Sequence, residues 1–224
     1  MAAHTHPQIG IIGAGHIGAT LTRRLTALGH DVAVANSRGP QTLADLADET
    51  GAAAVAAEEA AQGADLVIVT IPQKAIPLLP EGILDGAAAA APIVDTGNYY
   101  PARDGRIEAI ETSVAESRWV SDQLGRPVVK AFNNIRAQHL LELGKPAGSP
   151  DRIAVPVAGD EPSAKRMVME LVDELGFDPI DSGTIDESWR QQPGTPVYGA
   201  DLDAAGVTKA LAEASPERPE SLRG

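Results

Sequence analysis

Cysteine is absent from the 224 residues, which excludes disulfide staples, thiolate nucleophiles and thiolate-bound metal centres. Aromatic residues are scarce, at 3% of the chain. They are Phe132, Phe177, Trp119, Trp189, Tyr99, Tyr100 and Tyr198. The core must therefore be Ala, Val, Ile and Leu, and an aromatic beside a pocket carries information. Positive charge is also in short supply: 18 Lys and Arg stand against 31 Asp and Glu, a formal net charge of −13. That balance argues against nucleic acid, whose phosphates need clustered cations, and against anionic membrane surfaces. No run approaches the ~20 apolar residues of a spanning helix. Residues 1–8 have neither a basic start nor an apolar stretch of signal length. The expectation is a cytoplasmic protein with no membrane partner.

What is present is a regular alternation of short apolar runs and helical periodicity. Residues 9–12 read as a buried strand, and Ile17, Leu21, Leu25 and Leu28 recur at helical spacing up to Gly29. Strands are expected at 32–35, 52–57, 66–71, 93–95, 128–132, 153–157 and 177–180. Pro156 in the strand at 153–157 favours an edge position or a bulge. Helices are expected from Pro40, at 56–62, 74–79, 113–124, 137–143, 163–175 and 202–213. Strands alternating with helices imply a doubly wound, mainly parallel α/β sheet. No linker divides the chain sharply; the expected boundary lies near Asn134–Pro150, where Gly144, Pro146, Gly148 and Pro150 cluster. Residues 8–144 are expected to form the main α/β unit, 145–214 a smaller C-terminal α/β part continuing the sheet, and 215–224 a disordered tail.

Gly13-Ala14-Gly15-His16-Ile17-Gly18 follows the first strand and opens the first helix. In that context G-x-G-x-x-G is a dinucleotide-binding loop of the Rossmann type. Gly13 permits the tight turn, Gly15 lets backbone N–H groups approach a pyrophosphate, and Gly18 lets helix and strand pack closely. The helix N-terminus adds partial positive charge facing the anion. His16 reads as part of this cradle rather than as a general acid. At the end of the second strand, NAD-binding chains place an acid for the ribose 2′-hydroxyl. This chain has Asn36-Ser37-Arg38 and no carboxylate between Val32 and Thr42. Arg38 can pair with a 2′-phosphate, and Asn36 and Ser37 can add hydrogen bonds, which selects NADP(H) over NAD. The competing reading of Arg38 is a solvated loop cation.

The order of motifs resembles the coenzyme F420-dependent NADP oxidoreductase family, with relatives in the oxidoreductase domain of STEAP metalloreductases and the N-terminal domain of pyrroline-carboxylate reductases. The resemblance is carried by residues 13–18, Asn36-Ser37-Arg38, Thr70-Ile71-Pro72, Val129-Lys130-Ala131-Phe132-Asn133-Asn134 and Val157-Ala158-Gly159-Asp160. It implies NADPH held by Ala14, Gly15, His16 and Ile17 and by Ser37 and Arg38. It further implies a nicotinamide wall of Ile71, Pro72, Gln73 and Ile76, with Ala131 and Asn133 close by. Two departures stand out. Gly39-Pro40-Gln41-Thr42 replaces the basic residue that follows the Ser-Arg pair in the deazaflavin reductases, and residues 189–198 do not look like their hydrophobic terminal helix.

Ligands of such sheets bind beyond the carboxyl ends of the strands, which makes 70–73, 96–100 and 132–136 the places to look. A flat ring could stack on Tyr99 or Tyr100 while Asn98 bonds the nicotinamide amide; the alternative is a polar turn with half-buried tyrosines. Hydride transfer between ring carbons needs no nucleophile. An imine or carbonyl acceptor would need a proton donor, for which Tyr99, Tyr198 and His139 are available. The proline-broken run 188–198 is either a lid, with Arg190 holding an anionic substrate tail, or a structural strap. No metal site is expected from the spacing of His4, His6, His16, His30 and His139. Three functions remain open: hydride exchange between NADPH and a flat redox partner such as coenzyme F420, reduction of a small imine, carbonyl or quinone, and NADPH binding or sensing without chemistry. A homodimer is expected by analogy.

Overall fold

The computed structural model describes residues 6–112 and 115–224. The first six strands are β1 (Ile9–Ile12), β2 (Val32–Ala35), β3 (Ala53–Ala54), β4 (Leu66–Val69), β5 (Ile93–Asp95) and β6 (Val128–Lys130). They form one parallel sheet in the order β3-β2-β1-β4-β5-β6. Ile9 of β1 lies opposite both Val32 of β2 and Leu66 of β4, so chain direction reverses its spread between β1 and β4. That switch point is where a doubly wound sheet opens a crevice.

The helices are α1 (His16–Ala27), α2 (Ala44–Thr50), α3 (Pro101–Asp104), α4 (Glu108–Thr112), α5 (Glu116–Leu124), α6 (Ala137–Glu142), α7 (Pro162–Glu174) and α8 (Ala204–Ala212). Strand side chains alternate between two faces. Ile9, Ile11, Leu66 and Ile68 meet Leu21 and Leu25 of α1 and Leu140 of α6 in one apolar layer, which continues to Val168 and Leu175. Ile12, Val67, Val69 and Ile93 meet Trp119 and Val120 of α5 in the other. Each such fully buried aliphatic side chain stabilises the fold by roughly 1.5–3 kcal/mol. Among the described residues no helix is long and apolar enough to cross a membrane.

Several expected elements are shorter or differently wound. The strand expected over 52–57 is the two-residue β3, and the helix expected over 56–62 is a 3₁₀ turn, Ala57–Glu59. Pro40 opens a 3₁₀ segment, Pro40–Leu43, before α2 begins. The helix expected over 74–79 is a 3₁₀ segment, Gln73–Leu78, because Pro77 inside it cannot donate an α-helical bond. Helices α3 and α4 were not expected. Of the helix expected over 113–124, the residues from Glu116 onward form α5, and 113 and 114 lie outside the described residues.

The C-terminal part does not continue the six-stranded ladder. β7 (Ala154–Val157) and β8 (Asp178–Asp181) pair with each other in a separate two-stranded parallel sheet. One antiparallel bridge, Lys130 to Ala158, ties that sheet to the end of β6. Pro156 and Pro179 lack the N–H that a central strand needs on both sides, so each strand is confined to an edge. The end of the chain is also held rather than loose. Arg218 Nη1 donates to Glu116 Oε1 at 3.0 Å, and the Gly224 N–H donates to Glu111 Oε1 at 3.0 Å. Burial pushes the Glu116 carboxyl above its usual range, while the cations Lys130 and Arg218 pull it back down.

Candidate cofactor-binding site

A cleft of about 750 Å³ lies beyond the carboxyl ends of β1, β2 and β4. Gly13, Ala14 and Gly15 form its floor. Asn36, Ser37, Arg38 and Gly39 close one end, together with Ala56, Ala57 and Glu58. Thr70, Ile71, Pro72, Ala75, Leu78, Leu79 and Pro80 form the other. The glycines occupy this floor for steric reasons that the geometry makes explicit. Gly13 has φ +110°, and a Cβ there would stand 2.3 Å from the Thr70 carbonyl oxygen. A Cβ at Gly18 would stand 1.9 Å from the Gly13 carbonyl oxygen. A Cβ at Gly15 would meet nothing within 4 Å, so the backbone there faces open space.

Gly15 is the N-cap of α1, offers no side chain to cap it, and is followed by no acid in the first turn. The first-turn N–H groups and the helix dipole thus favour an anion at this floor. At the far end Ser37 and Arg38 are exposed. Asn36 is committed to the turn itself. Its Oδ1 accepts from the Arg38 N–H at 2.9 Å, and its Nδ2 donates to Thr42 Oγ1 at 2.9 Å. Asn36 therefore shapes the loop that presents Arg38 rather than serving as a free donor. Among the described residues Glu58 is the sole carboxylate lining the cleft; it lies beyond β3, a position that the weak Ala-rich signal of 52–57 left unread.

Beneath the β4 end, Gln73 is fully buried and both atoms of its amide lack a hydrogen-bond partner. An unpaired buried amide costs about 1–3 kcal/mol. Gln73 does not line the cleft, so this amide sits behind the wall formed by Ile71 and Pro72 and not on the surface that a ligand would meet. A Cβ at Gly97 would stand 2.5 Å from Gln73 Oε1, so the amide abuts the β5 end as well. An open glycine floor, a helix N-terminus free of acids and an exposed arginine together fit a phosphorylated dinucleotide.

Other residues expected at the nicotinamide side lie deeper. Ile76, Ala131 and Asn133 are buried and do not line the cleft. His16 is exposed beside the floor, and Ile17 packs half-buried against the core. Asn133 Nδ2 donates to Asn98 Oδ1 at 3.0 Å and to the Gln191 carbonyl at 2.7 Å. Asn98 Nδ2 in turn donates to the Asn133 carbonyl at 3.0 Å, so the Asn98 amide is already engaged. Tyr99 turns inward with no exposed surface, which overturns the stacking role expected of it. Its hydroxyl donates to Glu111 Oε1 at 2.8 Å and receives the Ile107 N–H. Tyr198 and Tyr100 share a hydroxyl contact of 2.5 Å, and burial with that contact drives the Tyr198 hydroxyl far above the ordinary phenol range. His139 Nδ1 lies 2.6 Å from Asp201.

The run 188–198 is packed rather than free. Ser188 and Gln191 are buried, Gln191 Nε2 donates to Asn133 Oδ1 and the Pro156 carbonyl, and Ser182 Oγ donates to Gln191 Oε1. Arg190 is bound to the Ser182 carbonyl and Glu187, so it is not free for a substrate anion. The segment ties the two sheets together as a strap.

Comparison with known proteins adds to this geometry. The sequence model for NADP oxidoreductase, coenzyme F420-dependent, matches residues 8–99, which contain the whole cleft. A solved structure, SMa0349 of Sinorhizobium meliloti, is 32% identical and superposes with a TM-score of 0.74 over 89% of this chain and 97% of that one. Over residues 8–99 the chain belongs to the coenzyme F420-dependent NADP oxidoreductase family. A candidate F420-dependent NADP reductase from Arthrobacter sp. FB24 is 25% identical with a TM-score of 0.63, covering 82% of this chain and 87% of that one. Metalloreductase STEAP3 of Rattus norvegicus is 29% identical over 80% of this chain. The chain spans 48% and 34% of the length of the curated relatives that it matches. The matched family is one of NADP-dependent oxidoreductases, and the doubly wound six-stranded sheet has the Rossmann architecture.

Proposed function

We propose that this oxidoreductase passes hydride between NADPH and a flat redox partner, with the deazaflavin coenzyme F420 as acceptor. The observation that carries the reading is the β4 end of the cleft. Ile71, Pro72, Ala75, Leu78, Leu79 and Pro80 make it an apolar shelf without an ionisable side chain, and Leu78 is 80% exposed. Such a shelf excludes water and accepts the face of a ring.

Ser37, Arg38 and the residues 13–15 would hold the adenosine phosphate and pyrophosphate ends, and Ile71 with Pro72 would set the nicotinamide face. The nicotinamide, when bound, supplies the hydride. Carbon-to-carbon transfer asks the protein for position and dryness, not for an acid. The groups available as proton donors are held elsewhere: Tyr99 within the core, Tyr198 against Tyr100, and His139 against Asp201. That arrangement disfavours an imine or carbonyl acceptor, which would need a proton.

The test mixes the protein with NADPH and a panel of F420, flavin mononucleotide, a quinone and a cyclic imine, following loss of nicotinamide absorbance. Turnover with F420 well above the other acceptors is expected. Turnover confined to the quinone or imine overturns the assignment of the acceptor. Tight NADPH binding with no turnover on any acceptor supports a sensing protein instead.

A further inference from the structure

Three donor groups from distant parts of the chain converge at the amino end of the sheet, away from the cleft. His6 precedes β1, His30 lies in the turn between α1 and β2, and Glu174 ends α7. One ligand atom from each lies within 4.8 Å of the others. His30 Nε2 is 3.1 Å from Glu174 Oε2, and His6 Nδ1 is 3.8 Å from Glu174 Oε1. The two imidazole rings meet edge-on at 5.1 Å between centroids.

The buried His30 decides what this cluster asks for. Its Nδ1 lies 3.2 Å from the Pro7 carbonyl oxygen, and its Nε2 faces the Glu174 carboxylate. Both partners are acceptors, yet a neutral imidazole owns a single N–H. With the proton on Nδ1, the Nε2 lone pair confronts a carboxylate oxygen, a contact that either a metal ion or a second proton resolves. A second proton on His30 would serve, but it gives no reason for a second imidazole aimed at the same carboxylate. A metal ion satisfies all three groups at once. An Nδ1–H bonded to a backbone carbonyl is also the usual device for orienting a histidine that ligates through Nε2.

Two ligands about 2.0–2.1 Å from a tetrahedral ion stand about 3.3 Å apart; the His30–Glu174 pair at 3.1 Å is close to that, while His6, 3.8 Å from the other carboxylate oxygen, draws in to complete the set. The last turn of α7 adds the partial negative charge of a helix C-terminus next to Glu174. We propose that His6, His30 and Glu174 bind one zinc-class divalent ion through two nitrogens and one oxygen, with a further position open to water on the exposed His6 side. The ion would staple the segment before β1 and the turn before β2 to α7, joining the six-stranded sheet to the C-terminal layer.

The test uses the full chain carrying His4→Ala, so that the other terminal histidine makes no contribution. After chelator treatment it is titrated with Zn²⁺ by calorimetry and with Co²⁺ by visible absorption, and thermal unfolding is followed with and without Zn²⁺. One equivalent bound, a cobalt ligand-field band and a raised Tm are expected. His6→Ala and Glu174→Gln should each weaken binding by ~10-fold or more, since even the loss of an outer partner has that effect. Both positions are partly exposed, so these variants keep the fold while removing a ligand; His30→Ala, checked for folding by circular dichroism, should abolish the band. Absence of binding at millimolar Zn²⁺, or affinity unchanged in both His6→Ala and Glu174→Gln, overturns the site.

Discussion

Replacing Arg38 by Ala is expected to weaken NADPH binding by about 10- to 100-fold while leaving NADH binding within about threefold. The selectivity follows from what surrounds the guanidinium. Arg38 is exposed at the lip of the cleft and makes no ion pair among the described residues, so no internal partner competes for it. A charge-assisted bond contributes about 1.5–3 kcal/mol, and a 2′-phosphate is the one part of NADPH that NADH lacks. Asn36 holds the Arg38 N–H and Thr42 in place, so truncating Arg38 leaves the loop intact. Arg38→Lys should retain part of the preference, because the charge survives and the planar paired geometry does not. Equal losses for both cofactors, read by fluorescence titration, would remove Arg38 from the 2′-phosphate.

The largest effect on stability is expected at Lys130. Its side chain is fully buried, and its Nζ lies 3.0 Å from Asp95 Oδ2 and also donates to the Gly97 carbonyl. Asp95 is buried as well and accepts from Ser117 Oγ at 2.7 Å and the Gly97 N–H at 2.8 Å. Removing one partner of a buried pair strands the other charge, so Lys130→Ala should cost about 3–5 kcal/mol. Replacing Asp95 and Lys130 together by apolar residues should cost less than Lys130→Ala alone, since Asp95 is then not left unpaired and Glu116 keeps Arg218 as its cation. Urea denaturation of the single and double variants measures both. A loss below about 1 kcal/mol for Lys130→Ala would show that solvent reaches Asp95 without help from the lysine.

Much of the cleft was legible because its constraints are local. The turn at Gly13, the approach at Gly18 and the missing acid before Arg38 are each written within a few residues of one another. The shelf at Ile71 and Pro72 followed from its place just beyond a strongly apolar strand. What stayed hidden depends on direction or on distance along the chain. Position alone placed Tyr99 after β5, but nothing local says that its ring turns inward to Glu111. Ala-rich residues 52–57 carry little strand propensity, so β3 and the neighbouring Glu58 were blurred. The separate sheet of β7 and β8 depends on Pro156 and Pro179 meeting in one ladder, and only Pro156 was read as an edge signal. His30 and Glu174 stand 144 positions apart, so no spacing rule could bring them together.

Ser37 and Arg38, exposed at the far end of the cleft, are proposed to read the 2′-phosphate of the dinucleotide. Titrating the unmodified protein with NADPH and NADH, each in competition with 2′,5′-ADP, tests that directly. NADPH should bind at least ~10-fold tighter than NADH, and 2′,5′-ADP should displace it where 5′-AMP does not. Equal affinity for the two cofactors, or displacement by 5′-AMP as effective as by 2′,5′-ADP, would contradict it.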